Sequence, residues 1–83
     1  MAETRGLVQR LSILSNTVTC VWVGPTPNNV EALVVSNDGS TLGSAFATSL
    51  IHTLMAASSN YREVIAVHGD NDATITSLRV EPV

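Results

Sequence analysis

The chain has 83 residues, 45% of them hydrophobic and 13% charged, and a net charge of −3. A single domain this small has too little interior to hide so much apolar surface, so the composition points to self-association. Its basic residues are Arg5, Arg10, Arg62 and Arg79, with no lysine, which argues against the many phosphate contacts of nucleic-acid binding.

In chain order, residues 1–5 are polar and are expected to fray. Leu7 to Leu14 alternates in the manner of a strand, although a short helix fits as well. Ser15 and Asn16 make a turn. Thr17 to Val23 (TVTCVWV) is the strongest strand, rich in β-branched and aromatic residues. Gly24 to Asn29 (GPTPNN) forces a loop. Val30 to Ser36 is the third strand, and Asn37, Asp38 and Gly39 turn the chain.

The next stretch is the only one that reads as a helix, from about residue 42 to 58 within Ser40 to Asn60. Phe46, Leu50, Leu54 and Ala57 recur at helical spacing, with Ala47, Ile51 and Met55 beside them. Ser40 or Ser44 is placed to cap its start, Asp38 to complement its dipole, and Asn60 to stop it in left-handed geometry. Ser49, His52, Thr53 and Ala56 fall on the opposite side, which carries no charge. That side is read either as covered by the domain itself or as an oligomer interface or pore lining.

Tyr61 to His68 is the fourth strand, with Tyr61 partly exposed. Gly69 to Asp72 is a hairpin turn, Ala73 to Val80 the fifth strand, and Pro82 ends it. Several strands are apolar on both faces: Val18, Cys20 and Trp22 oppose Val21 and Val23, Leu33 and Val35 oppose Ala32 and Val34, and Val64 and Ala66 oppose Ile65 and Val67. One face then lines a core, and the other needs the helix or a neighbour to cover it.

The order β-β-β-α-β-β in a single domain spanning residues 1–83 is that of the OB-fold, a mostly β five-stranded Greek-key barrel with one helix between the third and fourth strands. The alternative is an α+β sandwich with the helix across an antiparallel sheet. In the barrel, Phe46, Leu50, Ile51, Leu54 and Met55 would contribute on the order of 10 kcal/mol of gross burial.

No nucleophile elbow or other catalytic motif is present, so the reading is non-enzymatic, with no catalytic residue, metal or cofactor assigned. The ligand candidates are Trp22, whose ring can stack on a sugar; Asn28 and Asn29 in the proline-braced loop; and His68, Asp70 and Asn71 in the densest polar cluster. Each also has a structural reading: an anchor for Trp22, turn chemistry for the rest. Glu31 and Glu63 read as edge or interface charges pairing with Arg10, Arg62 or Arg79. Cys20, the sole cysteine, reads as a buried small hydrophobe and allows no intrachain disulfide. No run is long enough to span a membrane. The chain reads as cytoplasmic as given, or as secreted if a signal peptide was removed.

The segment from Leu54 to Val80, LMAASSNYREVIAVHGDNDATITSLRV, together with the element order, resembles the B subunits of bacterial AB-type toxins. The resemblance implies a homopentameric ring that binds cell-surface glycans, with the helix bordering a central pore, which suits the uncharged side carrying Ser49, His52, Thr53 and Ala56. The family's secreted members carry a signal peptide and often an intrachain disulfide, so the expectation is a pentameric relative without a toxic partner. A structural or assembly protein with protein partners only is the alternative.

Overall fold

The computed structural model describes residues 2–81. Five strands, β1 (Ala2–Ile13), β2 (Val18–Thr26), β3 (Asn29–Ser36), β4 (Val64–His68) and β5 (Ile75–Val80), form one sheet, and α1 (Thr41–Ser59) lies between β3 and β4. The molecule is mostly β with one helix. The sheet order is β3-β2-β1-β4-β5, and every neighbouring pair is antiparallel. The sheet curls until its outer strands approach: Val34 N–H donates to the Ala73 carbonyl at 2.9 Å, and Val34 and Thr74 form a parallel bridge.

The alternation seen in the sequence decides the core. Val8, Val21, Val23, Leu33, Val35, Val64, Ala66 and Ile75 point inward and are buried, with Ala47, Leu50, Leu54 and Ala57 of α1 against them. The opposite parity faces out. Ile65 is the exception there, only 1% exposed; its cross-strand neighbours on that face are Arg5 and Arg79. Their guanidinium groups pair with Glu63 at 2.9 Å and Glu81 at 3.1 Å, and the aliphatic stems of such arginines cover apolar surface.

Several expectations are corrected, among them a buried Cys20, which is only half-buried, and a fifth strand from Ala73, which begins at Ile75. Ala2 to Arg5 are not frayed: they pair with β4 from Ala2–His68 to Arg5–Ile65, which gives their backbone groups partners (Met1 lies outside the described residues, as does Pro82). Gly24, Pro25 and Thr26 continue β2, through an irregular register against β3, because prolines are tolerated where the ladder is interrupted. Tyr61 to Glu63 precede β4 rather than opening it. Phe46 and Met55 are not core residues, at 45% and 52% exposed. The buried stripe of α1 runs through Ala47, Leu50, Leu54 and Ala57, whose two alanines let the helix backbone approach the sheet closely.

The helix ends follow local chemistry. Ser40 Oγ accepts from Gly43 N–H at 2.9 Å, a side-chain cap for an orphan donor. Asp38 accepts from both the backbone and the hydroxyl of Ser40, and these bonds hold its carboxyl below the usual aspartate range. At the other end the left-handed residue is Tyr61 (φ 54°), not Asn60. Arg62 N–H reaches the Ala57 carbonyl and Tyr61 N–H that of Ser58, the two bonds of a Schellman motif.

Candidate functional site

Three polar side chains near one end of the sheet sit at inward-facing positions where the pattern otherwise calls for apolar ones, as Thr19 does nearer the helix. Thr4 is on β1, four residues before Val8. Glu31 is on β3, four before Val35. His68 ends β4, on the parity of Val64 and Ala66. Val8 and Val35 border the helix, so Thr4 and Glu31 lie roughly 13 Å along their strands from that end. The three residues close the end of the curled sheet opposite α1.

Their geometry is specific. Thr4 Oγ1 donates to Glu31 Oε2 at 2.5 Å and lies 2.9 Å from His68 Nε2. Glu31 Oε1 is 4.0 Å from the same nitrogen. Thr4 and His68 are buried, while the Glu31 side chain is 56% exposed. On the far side of the ring, His68 Nδ1 lies 2.9 Å from the Gly69 carbonyl and 3.0 Å from that of Asp72. Carbonyl oxygens only accept, so Nδ1 carries a hydrogen. An ionised Glu31 also only accepts. The Thr4 hydroxyl thus links the carboxylate to the imidazole. Every buried side-chain polar atom among the described residues has a partner.

The turn below His68 is set by Asp72, whose carboxylate accepts from Thr74 N–H at 2.9 Å. That bond is the main reason the Asp72 carboxyl is held below the usual aspartate range, with the nearby His68 a lesser one. Above the cluster a groove of about 280 Å³ is lined by Glu3, Thr4, Arg5, Pro25, Asn29 and Glu31, among others.

The residues expected to bind ligand fall in separate places. Asn29 and His68 meet at this closed end, Asn29 in the groove and His68 beneath it. Asn28 is exposed at the β2–β3 connection, and Asp70 and Asn71 are exposed in the turn between β4 and β5. Trp22 is on the outer face. The Arg10 guanidinium lies over its ring, 5.1 Å from the centroid, in a shallow cavity of about 340 Å³ with Gln9, Pro27 and Val30. Ser49, His52, Thr53 and Ala56 are exposed on α1, and the last three border a depression with Asn60, Arg62 and Val80.

Thr4 and Glu31 were missed by sequence reasoning. The signal was there: Glu31 shares the parity of Leu33 and Val35, so a carboxylate stood at a core-facing position. Glu31 pairs with none of the arginines expected for it, and Glu63 pairs with Arg5. Among the described residues no cluster of three His, Cys, Asp or Glu side chains could hold a metal ion, and no helix is long and apolar enough to cross a membrane.

Compared with protein-family models, with curated proteins and with solved structures, the chain matches none.

Proposed function

We propose that the chain is an OB-like barrel that assembles with copies of itself into a ring and binds a glycan or another small polar ligand without catalysing a reaction. The observation that carries the assembly is the outer face of α1. No charged residue occurs anywhere in its 19 positions. Leu42 is 84% exposed, Phe46 45% and Met55 52%, beside the uncharged Ser49, His52, Thr53 and Ala56. A helix facing water ordinarily carries charge on that side, and exposed large apolar side chains on an uncharged helix mark an interaction surface.

The barrel reading is supported by the sheet order, by the contact of β3 with the residues entering β5, and by the helix inserted between β3 and β4. The ring is supported by the strand edges. Apart from the Val34–Thr74 bridge, β3 and β5 each pair with a single strand among the described residues. Two different open edges allow a head-to-tail contact, which closes into a ring when the rotation permits. Five copies is the number implied by the resemblance to toxin B subunits.

Light scattering behind size-exclusion chromatography tests the assembly: a multiple of 8.7 kDa is expected, and a clean monomer across micromolar concentrations would refute it. A second reading, an assembly protein with protein partners only, is favoured by the stacking of Arg10 on Trp22, which already occupies one face of the only tryptophan. Silence across a glycan array would select that reading.

A further inference from the structure

Most charged side chains of the molecule are engaged within it, and what is left over is one cation and one carboxylate. Of the four arginines, Arg5 is held on Glu63, Arg79 on Glu81, and Arg10 lies over the Trp22 ring. Among the described residues the Arg62 side chain has no partner. It is half-buried where the Schellman closure of α1 fixes its backbone, in a depression of about 330 Å³ that it shares with His52, Thr53, Ala56 and Val80. Of the carboxylates, Glu63 and Glu81 hold arginines, Asp38 and Asp72 take donors in their own turns, Glu31 takes the Thr4 hydroxyl, and Asp70 is engaged as well. Glu3 is the remaining one. It is exposed, has no partner among the described residues, and lines the groove of about 280 Å³ with Asn29, Val30 and Glu31.

The two charges lie apart in one molecule. Glu3 stands opposite Val67 in the β1–β4 ladder, whereas Arg62 comes before Val64, and Val64 to Val67 alone spans roughly 10 Å. They also belong to different sides of the sheet: Val80 of β5 borders the Arg62 depression, while Asn29 and Val30 of β3 border the Glu3 groove. Opposite charges on two different patches suit a head-to-tail contact, and a guanidinium that is already half out of water is well placed to take a carboxylate from a neighbour. We propose that the C-terminal end of the outer face of α1 docks into the β3-side groove of a second copy, where Arg62 pairs with Glu3 of that copy. The helix carries no charge of its own to compete for either group. The inference rests on the assembly reading above, and adds to it the surface that receives α1 and the ion pair that sets its register.

The test is charge reversal, read by light scattering behind size-exclusion chromatography over a dilution series, with circular dichroism to confirm the fold. Arg62→Glu and Glu3→Arg each set like charges face to face, so each is expected to raise the concentration at which the assembly dissociates by about tenfold or more. The double reversal, Arg62→Glu with Glu3→Arg in one chain, restores opposite charges at every head-to-tail contact and is expected to bring dissociation back near the wild-type concentration. Should a reversal fail to fold, Arg62→Gln and Glu3→Gln remove each charge at nearly constant shape, and each is expected to weaken the assembly in the same direction. An oligomer that withstands the loss of Arg62, or a folded double reversal no tighter than the single ones, would overturn the pairing while leaving the assembly reading intact. A wild-type chain that is a monomer at every concentration would overturn both.

Discussion

Gly6 and Gly24 let two strands cross at a distance no side chain allows. A Cβ on Gly6 would stand 2.6 Å from the main chain of Gly24, and Gly6 has a φ of 154°. Gly6→Ala is therefore expected to lower stability by at least about 1–3 kcal/mol, from strain alone, in urea unfolding. Tyr61 is the opposite case. It holds a left-handed conformation that suits glycine while its side chain is 82% exposed. Tyr61→Gly is expected to stabilise by about 1 kcal/mol. A loss of stability instead would mean that the ring contributes packing in the native assembly. Asp38 and Asp72 contribute to the acid response. Both have carboxyls depressed below 3.8 by hydrogen bonds to Ser40 and Thr74. Depressed carboxyls stabilise the fold fully above their unfolded value, and that contribution disappears as pH falls through the folded one. Acid unfolding is expected to begin below about pH 4, with a shallower pH dependence in Asp38→Asn and Asp72→Asn, measured by circular dichroism.

At the scale of elements, the helix joins a legible start to a misjudged face. Ser40 and Ser44 both read as cap candidates because a serine at the start of an apolar periodic run can accept an orphan N–H; the bond from Gly43 selects Ser40. Ser40→Ala is expected to cost about 1 kcal/mol, and Leu54→Ala, at a fully buried position, about 2–5 kcal/mol in the same unfolding measurement. Phe46 was misplaced because a wide apolar arc does not reveal which part of it faces inward. The decision came from Ala47 and Ala57, whose small side chains set the distance to the sheet. In the strands, period two put Val21 with Val23 and Leu33 with Val35, but with both faces apolar it did not say that these face the core. It did not give the pairing of Ala2 to Arg5, since polar residues at a sheet position carry no apolar signal. The Thr4–Glu31–His68 cluster was legible only in part for a related reason. His68 stood out within a polar run, whereas Thr4 and Glu31 became meaningful only when three strands distant in sequence met at one end.

For the whole molecule, the account joins two ends of one sheet. One end is packed by a helix whose outer face carries no charged residue; the other is closed by the hydrogen-bonded Thr4, Glu31 and His68. Under the proposed assembly, self-association falls to α1. The most direct check of the central claim, that copies of the chain meet through the outer face of α1, is the solution mass of Phe46→Glu beside the wild type. The substitution places a charge at a position already 45% exposed, so the isolated fold should tolerate it. The account expects a wild-type mass that is a multiple of 8.7 kDa and a folded variant at 8.7 kDa itself. A wild-type monomer, or an oligomer that the variant leaves unchanged, would contradict it.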